Sequence, residues 1–154
     1  AAAAAADATP PRARATALDG SNPRRRFIEE FSTSNFLAVV GGKLVTPKSP
    51  SILPSCTKRV VMQAAADMGL EVVERPVPWD EVGSFEEVAA CGTAVVLTPI
   101  QSITRGTETV RFGSFDTISK LYDAVTSIQV GAAPDPHGYT RIVPSSTRRV
   151  LSGP

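Results

Sequence analysis

Two adjacent carboxylates, Glu29 and Glu30, open the part of the chain that carries chemically useful side chains. Neighbouring residues of an extended segment point to opposite faces, so only one of the pair can reach a buried ligand; taken alone, both also read as solvated charges at a strand end. A second group is Pro54-Ser55-Cys56-Thr57, where a Pro/Ser loop meets a helical pattern. The first N–H groups of a helix lack partners within it, and together with hydroxyls and the helix dipole they make an anion site. By itself this junction reads as a helix cap. A third is Gly92-Thr93, where glycine lets a ligand approach the backbone but which alone is a turn. Cys56 and Cys91 belong to no CxxC or Cys/His cluster, and with a single histidine the chain offers nothing like the roughly four ligands zinc needs. Both are expected to be reduced thiols, buried or nearly so, as in an intracellular compartment. His137, after Asp135-Pro136, is expected to make a local hydrogen bond. The clusters Arg24 to Arg26 and Arg148-Arg149 are expected to be a solvated strand entrance and a solvated tail.

These residues need elements to position them. Phe27, Ile28 and Phe31, then Phe36 to Val40, then Leu44 to Thr46 are aromatic and β-branched runs, with Gly41-Gly42 as a hairpin turn. Pro47 to Pro54 is a loop. Val60, Val61, Ala64, Ala65 and Met68 follow helical spacing, which predicts a helix over 57–68 stopped by Gly69. Leu70 to Val77 alternates as a strand, Trp79 to Glu87 is expected as a short acidic helical turn, and strands follow at Val88 to Cys91 and Ala94 to Leu97. After a polar loop from Arg105 to Glu108, residues 115–128 put Ile118, Leu121, Tyr122, Val125 and Ile128 on one face. Ser114 is the expected N-cap and Gly131 the stop. The proline-containing tail is expected to be extended, with a terminal strand at Tyr139 to Val143. Residues 1–23 carry no apolar periodicity and are expected to be a disordered lead-in or linker. The whole reads as an α/β or α+β domain, a mixed sheet with two main packed helices.

Composition limits the function classes. The chain has 154 residues, 42% of them apolar, and a formal net charge of +1, so no global charge bias points to nucleic acid. Its apolar runs are of strand length, far below the roughly 20 residues of a membrane-spanning helix, so neither nucleic acid nor a membrane is expected as a partner. An Ala- and Arg-rich start resembles an organelle transit sequence, but Asp7 and Asp19 weaken the pattern, leaving cytoplasm, mitochondrion and plastid open.

In order along the chain, FIEEFSTSNF, GGKLVTP, SILPSCTKR and ACGTAVVLTPI resemble blocks of the fold-type IV aminotransferases, and of the branched-chain amino acid aminotransferases in particular. PDPHGYTRIV is similar to the family's C-terminal stretch, and the likeness runs over residues 26–143. The resemblance implies the C-terminal domain of the D-amino-acid aminotransferase-like fold over 24–144, with 145–154 a flexible tail. It implies pyridoxal 5'-phosphate as cofactor. Glu30 would pair with the ring nitrogen and keep it protonated, which makes the ring an electron sink. Cys56, Thr57, Gly92 and Thr93 would hold the phosphate, and Thr93 and Ala94 would offer N–H groups to the substrate carboxylate. Asn35 matches a structural asparagine beside the site. Cys56 stands where an aliphatic residue is usual, and Val95 and Thr98 stand where some mammalian relatives have a regulatory CxxC.

The implied reaction moves amino groups between leucine, isoleucine or valine and 2-oxoglutarate, in a homodimer. It needs a lysine bonded to the cofactor, and in the family that lysine lies upstream of the FIEE block. Lys43, Lys48, Lys58 and Lys120 are the only lysines here, none at the matching position. The family's phosphate-binding arginine and much of the substrate pocket also lie upstream. The expectation is therefore a part lacking a catalytic residue, inactive alone, binding cofactor weakly, and partnered by a lysine-bearing N-terminal domain. The alternative is a catalytically inactive remnant serving as a binding or interaction module.

Overall fold

The structure, a computed structural model, describes residues 13–17, 27–141 and 143. Its strands are β1 (Ala13–Ala17), β2 (Phe27–Ile28), β3 (Glu30–Phe31), β4 (Ser34–Val40), β5 (Lys43–Pro47), β6 (Glu71–Arg75), β7 (Val77–Pro78), β8 (Glu87–Gly92), β9 (Val96–Arg105) and β10 (Glu108–Arg111). Two α-helices, α1 (Cys56–Asp67) and α2 (Asp116–Gln129), and a 3-10 turn at Trp79–Ser84 complete the described elements. The fold is the expected mixed α/β arrangement. A mixed sheet runs β1-β9-β8-β4-β5-β6, with β10 added to β9 and β3 to β4, while β2 and β7 form a separate pair.

Strand β4 sits mid-sheet and is buried on both faces, which is why its sequence is a continuous apolar run. Its residues nevertheless alternate. Leu37 and Val39 pack with Leu44, Ala89, Cys91 and the helices through Val61, Ala65, Ile118 and Leu121. Phe36 and Ala38 face the other side, against Val45, Trp79, Phe85, Val88 and Phe112. Both helices end as expected from their glycines. Gly69 (φ 84°) and Gly131 (φ 73°) take the left-handed conformation, and their N–H groups and those of Leu70 and Ala132 close the last turns onto Ala66, Ile128, Ala65 and Ser127.

Several expectations are corrected. Ala13–Ala17, inside the stretch expected to be a structureless lead-in, pairs in parallel with β9 from Ile100 to Arg105. Such a strand is invisible to hydropathy because the pairing uses backbone groups alone. The strand expected at Ala94 to Leu97 begins at Val96, since Thr93 to Val95 form the turn that reverses β8 into β9. It then runs through Pro99 to Arg105, and the polar stretch after it returns as β10. Pro99 is tolerated because an antiparallel ladder asks only alternate residues for a donor to the neighbouring strand. The strand expected over 70–77 is divided at Pro76. Ser114 does not cap α2; Phe115 occupies that position without a side-chain cap. No strand forms among the described residues of 139–143; Asp135 instead accepts from Thr140 N (2.6 Å) and Oγ1 (2.8 Å), folding the tail into a loop. Cys56 is exposed, since it precedes Val61 by five residues and so lies about 140° around the helix from the buried stripe. Arg24 to Arg26, Arg148-Arg149 and residues 145–154 lie outside the described residues.

Candidate functional site

Strand direction gathers the candidate residues. Strands β5 and β8 are both antiparallel to β4, so their C-terminal ends lie at one end of the sheet, beside the start of β4. The loop leaving β5 leads directly into α1, and β5 pairs in parallel with β6 beyond it. The first turn of α1, the Gly92-Thr93 turn and Asn35 thus share the end of the sheet where ligands of α/β folds bind.

Asn35 is buried and links two parts of this end. Its Nδ2 donates to Glu30 Oε2 and to the carbonyl of Leu53, both at 3.3 Å, and Asn35 pairs across the ladder with Cys91. Glu30, paired with Asn35 in β3, is exposed at this end rather than buried in the core. A side chain at Gly92 would lie against Ser34 Oγ, 3.4 Å from a Cβ built there, so the bare backbone leaves space beside that hydroxyl. Thr93 and Ala94 stand exposed in the turn. Val96, just beyond, adopts φ 57°, a rare conformation for a β-branched residue and a local strain of roughly 1–3 kcal/mol.

At the start of α1, Ser55 Oγ accepts from Lys58 N (3.1 Å) and Ser55 O from Arg59 N (3.2 Å). The N–H groups of Cys56 and Thr57 have no acceptor among the described residues. Donors of this kind at a positive helix end, next to the Thr57 hydroxyl, suit a phosphate. The exposed Glu30 carboxylate suits a protonated ring nitrogen, so these residues fit the phosphate and ring of pyridoxal phosphate. Cys91 is a different case: burial pushes its thiol up to about 12, only partly opposed by the nearby Lys58 charge, and it stays protonated in the core. His137 does not bond locally as expected: its Nε2 lies 2.8 Å from Oδ2 of Asp67, 70 positions away at the end of α1. Among the described residues no cluster of His, Cys, Asp or Glu is placed to hold a metal, and no helix is long and apolar enough to cross a membrane. A shallow groove of about 550 Å³ lies between α1 and β6, with Arg59, Met62, Val72 and Tyr139 in its wall.

Two contributors escape the sequence reading. Glu87, buried in β8, caps α2: Oε1 accepts from Thr117 N (2.9 Å) and Oε2 from Ile118 N (2.8 Å). Nothing in the local sequence marks it, because the helix it caps begins about thirty residues later. The resemblance puts Asn35 beside the site only as a structural residue, and its bridge from Glu30 to Leu53 emerges only in three dimensions.

Comparison with known proteins gives this end of the sheet its context. The family model for amino-transferase class IV matches residues 22–103. A branched-chain-amino-acid aminotransferase of Helicobacter pylori is 42% identical over 107 residues, covering 68% of this chain and 32% of the relative. A solved structure, the branched-chain amino acid aminotransferase from Escherichia coli, superposes with a TM-score of 0.66 at 26% identity, over 73% of this chain and 38% of that one. A second, the branched-chain amino acid aminotransferase from T.th. complexed with N-(5'-phosphopyridoxyl)-L-glutamate, superposes with a TM-score of 0.60 at 25% identity, over 71% and 36%. The chain thus spans about a third of the length of the relatives it matches. With the family match extending over more than half of its residues, this chain belongs to the class IV aminotransferase family.

Proposed function

We propose that this chain is the cofactor-binding C-terminal part of a branched-chain aminotransferase, acting on leucine, isoleucine or valine with 2-oxoglutarate. The observation that carries this is the Asn35 bridge, which ties Glu30 to the loop entering α1 at the sheet end where Gly92-Thr93 also lies. Branched-chain relatives, one of them complexed with a phosphopyridoxyl-glutamate, supply the substrate class and the cofactor. When bound, pyridoxal phosphate supplies an electron-withdrawing ring that acidifies the substrate α-carbon. The chain's own residues then have separate tasks. Cys56 and Thr57, with Gly92 and Thr93, hold the phosphate through N–H groups and hydroxyls. Glu30 keeps a proton at the ring nitrogen, and Asn35 orients its carboxylate. The N–H groups of Thr93 and Ala94 receive the substrate carboxylate. Proton transfer at the α-carbon falls to a lysine that none of Lys43, Lys48, Lys58 or Lys120 supplies, so a lysine-bearing N-terminal domain is the partner, in a homodimeric enzyme. Residues 24–144 make up the C-terminal, cofactor-binding domain.

The chain alone is expected to show no transamination of leucine with 2-oxoglutarate, and mixing or fusing it with the N-terminal half of a branched-chain relative should generate that activity. Turnover by the chain alone that disappears on replacing any one of its lysines would reject the proposal.

A further inference from the structure

Glu29, the other member of the carboxylate pair, is left without a task by this assignment. Its Oε1 accepts from Ser49 Oγ and from Ser51 Oγ, each at 2.5 Å, and Ser49 Oγ also accepts from Ser51 N at 3.3 Å. The two hydroxyls lie 2.7 Å apart. Each hydroxyl has one proton to give, and with both turned to the carboxylate Glu29 Oε1 is their shared acceptor. These serines belong to the loop between β5 and α1. Lys48 N still bonds Arg75 O of the sheet (3.0 Å), but beyond it the loop has little apolar anchorage, with Leu53 72% exposed and Pro50 and Pro54 unable to donate. Among the described residues, two side chains from outside fasten it: Glu29 at Ser49 and Ser51, and Asn35 at Leu53. Ser55 and the open N–H groups of Cys56 and Thr57 follow immediately.

We propose that Glu29 is a positioning residue for the anion site, setting through Ser49 and Ser51 the path of the loop and hence the direction in which the Cys56 and Thr57 N–H groups point. The adjacent acids divide the work as an extended segment requires, Glu30 toward the cofactor ring and Glu29 toward the loop. This rests on the phosphate being held at α1.

The test uses the full chain as wild type, Glu29→Ala, Glu29→Gln, Ser49→Ala with Ser51→Ala, and the triple change. Amide hydrogen exchange without ligand should quicken over 51–58 in Glu29→Ala while β4 and β5 keep their protection. Dissociation constants for inorganic phosphate and for pyridoxal phosphate should rise together, by roughly fivefold, as for loss of charge-assisted bonds at an exposed site. Glu29→Gln, which keeps an acceptor oxygen, should recover part of the loss, and the triple change should add little to Glu29→Ala. Unchanged exchange over 51–58 overturns the proposal whether or not a ligand binds. Quickened exchange with unaltered phosphate affinity removes the positioning role. A wild-type chain that binds neither phosphate nor pyridoxal phosphate overturns the cofactor reading itself, and the positioning role with it.

Discussion

The starts of α1 and α2 face the same electrostatic problem and solve it differently. At α2 the N–H groups of Thr117 and Ile118 are taken by the buried carboxylate of Glu87, reaching across from β8. At α1 only Lys58 N is taken, by Ser55, and the N–H groups of Cys56 and Thr57 stay open among the described residues. A helix end neutralised from within the protein serves stability, whereas one left open and positive suits an external anion. The difference is one of supply: α2 packs against the strand that provides its anion, while α1 follows an exposed loop at the sheet end.

The sharpest way to break this contrast is at Glu87. Glu87→Ala leaves one buried and one part-buried donor without an acceptor and should cost about 2–4 kcal/mol, read from denaturant unfolding, against about 1 kcal/mol for Ser55→Ala. Equal costs would mean that the two ends are not differently built. Next in size is anion binding. Thr57→Val combined with Thr93→Val should weaken pyridoxal phosphate binding about tenfold, with inorganic phosphate competing in the wild type, while Glu30→Gln does less. A larger loss with Glu30→Gln, or no competition by phosphate, would move the anion away from α1.

Cysteine chemistry sharpens the contrast further. In the folded chain iodoacetate should modify exposed Cys56 and spare Cys91, whose thiol burial pushes up to about 12. The carboxylate so added at the first turn of α1 should lower phosphate affinity by about threefold through its charge; iodoacetamide, adding no charge, should do less. Equal effects of the two reagents would point to bulk rather than charge. The smallest expected effect is with pH. Hydrogen bonds from Ser49 and Ser51 hold the Glu29 carboxyl below its ordinary value of 4.5. A depressed folded-state pKa means that its stabilisation of the loop is complete above that ordinary value and fades as pH falls through the lower one. The exchange difference between wild type and Glu29→Gln over 51–58 should therefore shrink on acidification below about pH 4.5; a difference that stays constant would show that the charge plays no part.

Much of this architecture was legible in the chain itself. The spacing of Val61, Ala64 and Ala65 and the glycines at 69 and 131 mark both helices to within a residue, because a helix buries a stripe of its own side chains and its stop needs a left-handed residue. Gly41-Gly42 marks the β4–β5 turn for a similarly local reason. The motif blocks located the candidate residues Glu30, Cys56, Thr57, Gly92 and Thr93. What the tertiary structure alone decided is every relation carried by backbone pairing or by distant side chains. Ala13–Ala17 joins the sheet without any apolar signal, β9 continues past a proline, Glu87 caps a helix it does not adjoin, and Asn35 joins Glu30 to Leu53. Local sequence carries periodicity and turn chemistry, since those depend on near neighbours. Which strand lies beside which, and so which carboxylate meets which N–H group, depends on how the chain packs as a whole.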